Sequence, residues 1–197
     1  RPVEAEYLAS AEAALLKAVG RSYDPANFEL RLQVLEAASA RLGGFDLAAF
    51  HEAFGVKSKR AASDLLELAV PVASAIERSP IHPALALSVL AREVLHEQDR
   101  KSTGAYHTDF RLATRLAKLA APQLTHKSKV IDPACGAGIL LAALTHAVCG
   151  MDRAKTTYWL AHGVCAADLS GNSLRAALLA LASFTDDVST LKAMRAR

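Results

Sequence analysis

Apolar positions recur at helical spacing through the first hundred residues. Glu4 to Val19 is rich in Ala, Leu and Glu and places Leu8, Ala11, Leu15 and Ala18 on one face, which predicts a first helix. Asp24-Pro25 starts a second, since Asp caps and Pro suits the first turn. That helix runs to about Leu42 and stops at Gly43-Gly44. A short helix over Leu47 to Phe54 follows, then a basic junction, Lys57-Ser58-Lys59-Arg60. Ser63 to Arg78 reads as a helix bent at Pro71. Ser79-Pro80-Ile81-His82-Pro83 breaks the chain, and Ala84 to His96 is helical again.

The pattern changes near Asp99. Lys101 to Thr108 is a polar, glycine-containing loop, and Asp109 to Ala121 reads as a helix ended by Pro122. Val130-Ile131-Asp132 has the look of a short buried strand. It leads directly into Pro133-Ala134-Cys135-Gly136-Ala137-Gly138 and an apolar helix, Ile139 to Cys149. A helix over Arg153 to His162 precedes a second strand-like run, Gly163 to Ala167, closed by Asp168. Ser170 is placed to cap a last helix reaching Phe184. Strand, glycine turn, helix, strand, acid, helix is the beginning of a parallel doubly wound sheet. The expected fold class is therefore α/β, with a helical domain over 1–100 followed over 101–197 by the first part of a Rossmann-like fold, truncated.

Composition narrows the class. Of 197 residues 52% are hydrophobic, with 10 Gly and 7 Pro, which excludes fibrous and disordered chains. No apolar run approaches the roughly 18–20 residues of a membrane span, and no signal-type segment follows Arg1-Pro2-Val3-Glu4. The missing initiator Met raises the expectation of a processed or truncated chain. Three cysteines, Cys135, Cys149 and Cys165, without Cys-x-x-Cys spacing fit a reducing, cytoplasmic setting and offer no metal site. The net charge of +3 is unevenly spread: residues 1–100 carry 11 Lys/Arg against 14 Asp/Glu, and residues 101–197 carry 12 against 6. A basic second half is compatible with a polyanionic partner, although from charge alone an ordinary solvated surface is the better explanation.

The chemistry concentrates at the glycine turn. A strand ending in such a turn brings bare backbone against a ligand, and Gly136 and Gly138 remove side chains where the approach occurs. An acid at the tip of the next strand, Asp168, is placed to accept ribose hydroxyls. A dinucleotide fits less well. Leu141 stands where a third glycine is needed, and Asp132, just before the turn, repels a pyrophosphate. A cofactor with a cationic amino-acid head and no phosphate, such as S-adenosylmethionine, tolerates that acid.

Val130-Ile131-Asp132-Pro133-Ala134-Cys135-Gly136-Ala137-Gly138-Ile139-Leu140-Leu141 resembles the cofactor motif of adenine-specific DNA methyltransferases, Asp-Pro-Ala-Cys-Gly-Ser-Gly followed by apolar residues. Thr103-Gly104-Ala105-Tyr106-His107-Thr108 resembles the Gly-x-Tyr-Tyr-Thr-Pro segment that also contacts the cofactor in that family. Val164 to Asp168 with its following helix resembles the next motif, and the order resembles the gamma arrangement of type I and type IIG restriction-modification enzymes. The resemblance covers residues 101 to about 184. His107, Asp109 and Ala137 depart from the family pattern.

What the resemblance implies is an S-adenosylmethionine site. Asp132 and Gly136, with Pro133 and Ala134, would face the methionine part, and Gly138 would allow close approach. Thr108 would bond the carboxylate, Gly104 and Tyr106 would pack near the cofactor, and Asp168 would hold the ribose. It implies DNA as partner of the whole protein, with other subunits or a further C-terminal half, and no membrane. The family's catalytic Asn/Asp-Pro-Pro-aromatic motif occurs nowhere in these 197 residues, so no catalytic residue is assigned and the chain by itself is expected to be inactive. The alternatives are a methyltransferase acting on RNA or protein, and a non-catalytic helical interaction module with a vestigial nucleotide fold.

Overall fold

The computed structural model describes residues 4–20, 25–56, 58, 60–92 and 107–195. Several helices begin at a residue whose side chain caps them. Asp46 accepts from Ala49 N at the start of Leu47–Phe54, and Gly55, at φ 63°, closes that helix. Asp109 caps Phe110–Ala120, Asp152 caps Arg153–His162 and Ser170 caps Gly171–Ala182. Glu4–Val19, Pro25–Gly43 and Ile139–Cys149 keep the bounds their patterns predict. Pro71 sits inside an unbroken helix, Ala62–Glu77. Pro83–Leu90 is shorter than the expected 84–96 helix, whose last residues lie outside the described set. One helix, Val188–Arg195, has no counterpart in the expectations. Its signal is Asp187, whose carboxylate accepts from Ser189 N and Thr190 N.

Two strands are present among the described residues, β1 (Val130–Asp132) and β2 (Val164–Ala166). They pair in parallel, with Val130 opposite Val164 and Asp132 opposite Ala166. The chain crosses between them through the Ile139–Cys149 and Arg153–His162 helices, as a parallel connection requires. The molecule is thus mostly helical, with one small parallel sheet among the described residues.

The buried side chains form one continuous cluster that spans both halves, from Leu8 to Met194. Pro25–Gly43 and Glu4–Val19 pack on Ala62–Glu77, and Phe110–Ala120 lies along Ile139–Cys149. Gly171–Ala182 joins the halves: it packs on Pro83–Leu90 and on Pro25–Gly43. A charged cluster reinforces that seam. Arg175 donates through Nη2 to Glu36 Oε2 at 2.8 Å and through Nη1 to Glu29 Oε2 at 2.7 Å. Burial opposes the guanidinium charge, but the two carboxylates outweigh it and raise the Arg175 pKa. At Glu29 burial likewise works against ionisation, and the Arg175 bond overrides it.

Candidate functional site

Parallel pairing carries the ends of β1 and β2 to one side of the sheet, where the glycine turn and Asp168 meet. Ala167 N donates to Asp132 O at 2.9 Å, and Cys135 N returns a bond to Ala167 O at 3.0 Å. The turn after β1 is thereby stitched to the end of β2. Asp132 folds its own carboxylate back onto the turn, accepting from Ala134 N at 3.2 Å. Asp168 closes the arrangement from the other strand: Oδ2 accepts from Gly136 N at 2.8 Å and Oδ1 from Ser170 N at 2.9 Å.

The two glycines serve different ends. Both have left-handed backbones, φ 51° at Gly136 and 76° at Gly138, a region that costs other residues energy. A Cβ on Gly138 would sit 2.9 Å from both Cα and Cβ of Ala177, so this glycine lets the turn rest on the Gly171–Ala182 helix. A Cβ on Gly136 would meet nothing within 4 Å. The missing side chain there leaves open space above the backbone.

Two carboxylates, those of Asp132 and Asp168, flank the turn and accept from backbone N–H groups. Cys135 is buried at its centre, and its thiol is pushed up to about 12 by burial and by the nearby carboxylates of Asp168 and Asp132. The thiol is therefore neutral at physiological pH and donates weakly to Gly136 O at 3.5 Å. Such a group is no nucleophile. Burial, the larger cause of that shift, opposes a charge of either sign, and the two carboxylates add a bias against an anion such as pyrophosphate.

The structure brings Asp132, Pro133, Ala134, Gly136, Gly138 and Asp168 together in one turn, with Pro133 and Ala134 exposed at its rim. Thr108 stands half-buried ahead of the Phe110–Ala120 helix, and its carbonyl accepts from Arg92 Nη2. The cap of that helix is Asp109. Gly104 and Tyr106 lie outside the described residues, as do Lys57 and Lys59 of the basic junction.

One support of the turn and one neighbouring cap were not foreseen from the sequence. Ser88, fully buried on Pro83–Leu90, donates its hydroxyl to Ala137 O at 2.6 Å. His82 caps the same helix, with Nδ1 accepting from Ala84 N at 3.2 Å. Its ring stacks on Phe184 at 4.4 Å and lies 4.7 Å from His146. A serine inside an apolar helix and a histidine just before Pro83 are the only sequence signals for either, and neither names its distant partner.

Among the described residues no helix is long and apolar enough to cross a membrane. No protein-family model, curated protein or solved structure matches this chain.

Proposed function

We propose that this chain is the S-adenosylmethionine-binding portion of a DNA adenine methyltransferase of a restriction-modification or phage-defence system. The supporting observation is the turn itself: left-handed glycines between the end of β1 and the Ile139–Cys149 helix, open above Gly136, with the carboxylates of Asp132 and Asp168 beside them. A phosphate is repelled there, whereas an amino-acid head carrying an ammonium and a sulfonium is attracted. In this reading the Rossmann-like sheet is completed elsewhere in the protein. Asp168 contributes lone pairs to the ribose while still holding Gly136 and Ser170, since a carboxylate has about four acceptor sites.

The chain's own residues would bind and orient the cofactor. S-adenosylmethionine supplies the transferable methyl group. The groups that hold the target adenine belong to the Asn/Asp-Pro-Pro-aromatic motif, which these residues lack. Thermal melting tests the cofactor class. S-adenosylmethionine or S-adenosylhomocysteine is expected to raise the melting temperature, by the equivalent of about 2.7 kcal/mol at a hundredfold excess over the dissociation constant. NAD is expected to leave it unchanged, and stabilisation by NAD alone would reverse the assignment. The purified chain is expected not to label duplex DNA from radioactive cofactor; labelling would show that the catalytic groups are present after all.

One observation favours a second reading, a non-catalytic interaction module with a vestigial nucleotide fold. Both oxygens of Asp168 already accept backbone N–H groups, as in a purely structural clamp. A folded chain that no adenosine cofactor stabilises, even when lengthened, would support it.

A further inference from the structure

We propose that the outward side of the Phe110–Ala120 helix is a docking surface for an acidic amphipathic helix of a partner protein. The helix carries three stripes. Ala113 and Ala117 are buried, on the side packed along Ile139–Cys149. Leu112, Leu116 and Leu119 are 50%, 45% and 69% exposed. Arg111, Arg115 and Lys118 are exposed, and none of the three pairs with an acid among the described residues. At roughly 100° per residue, Arg115 points away from the buried stripe, with Arg111 and Lys118 to one side of it and the leucines to the other.

This order of stripes selects the occupant. The leucines repeat at a spacing of four and then three, which is the seam of a two-helix contact, and Arg115 takes the flanking position where such contacts carry charge. A nucleic-acid backbone would satisfy the cations and leave three leucines in water. A flat anionic lipid surface would meet Arg115 first, because the leucines sit on the shoulder of the helix and not at its crest. A second helix with leucines in the seam and glutamates on its flank satisfies both stripes at once. The groove of about 400 Å³ lined by Phe110, Arg111, Thr114, Arg115, Lys118 and Leu119 gives those acidic side chains a place beside the cations. The surface is separate from the glycine turn, and the inference does not depend on the cofactor reading.

The test uses the whole 197-residue chain and a fluorescent synthetic helix of about three heptads, with Leu at a and d and Glu at e and g. Saturable binding is expected in fluorescence anisotropy, weakened about tenfold or more by Leu116→Ser and by Arg115→Glu. The same peptide with Lys for Glu is expected not to bind. Both variants change exposed positions, and circular dichroism checks that they stay folded. Four results would each overturn the inference: no binding of the Glu peptide; binding that neither variant weakens; a stronger response of the same residues to duplex DNA or phosphatidylserine vesicles; or sedimentation as a dimer that Leu116→Ser dissolves, which would make a second copy the occupant.

Discussion

Gly138 and Gly136 are two residues apart and chemically identical, yet their surroundings assign them opposite tolerances. At Gly138 a side chain meets backbone of the Gly171–Ala182 helix at 2.9 Å in a strained φ. Left-handed strain and overpacking together make Gly138→Ala cost about 2–4 kcal/mol in denaturant unfolding. At Gly136 the space is open, and Asn visits the left-handed region more readily than other residues. Gly136→Asn is therefore expected to cost no more than about 1 kcal/mol. Equal losses at the two positions would contradict the packing described here. His82 sets a pH dependence at the same scale. Burial and the neighbouring His146 press its pKa down from the ordinary 6.5 to about 4. Above pH 6.5 the ring is neutral folded or unfolded and carries no penalty. Between 6.5 and about 4 the unfolded chain binds a proton that the fold refuses, so stability falls by up to about 1.4 kcal/mol per pH unit; below 4 the loss levels off. Unfolding measured across pH 4.5–6.5 should show that slope flattened in His82→Asn, which keeps a capping acceptor but cannot titrate. An unchanged slope would place the titration elsewhere.

Between elements, the Arg175 cluster ties the Gly171–Ala182 helix, on which the glycine turn rests, to Pro25–Gly43. Arg175→Met leaves Glu36 buried without its cation and is expected to cost about 3–5 kcal/mol. Pairing it with Glu36→Gln should recover part of that loss, and a double-mutant cycle measures the coupling. Much at this scale was legible in the chain. Ser170 was readable as a cap, and Asp46, Asp109 and Asp152 make the same local side-chain bonds at the starts of their helices, Asp109 as a cap and not the first helical residue. The expected run of β1 matches its three residues, though Ile131 is exposed and not buried as expected, and β2 is one residue shorter at each end than the expected Gly163 to Ala167. What could not be read is which face meets which. Ser88 on Ala137 and Arg175 on Glu36 join residues 49 and 139 apart, and nothing in a local window encodes such pairs. The Val188–Arg195 helix escaped because it is short and its apolar stripe is thin. The shared core across the two halves is of the same kind: each half predicts its own amphipathic faces, and only the folded chain shows them facing each other.

At the scale of the whole molecule the parallel sheet is small. Ile131, at the centre of β1, is 65% exposed, although parallel strands are ordinarily covered on both faces. The Ile131 side chain stands on a sheet face, so that face of the small sheet is open to solvent at this position. Calorimetric titration of S-adenosylmethionine into the wild-type chain and Gly136→Asn asks whether the turn holds the cofactor. Saturable binding by the wild type, lost in a variant whose side chain fills the open space while its unfolding free energy stays within about 1 kcal/mol, is the predicted result. Equal binding by both would take the cofactor away from the turn, and no binding by a folded wild type would contradict the cofactor reading of this chain.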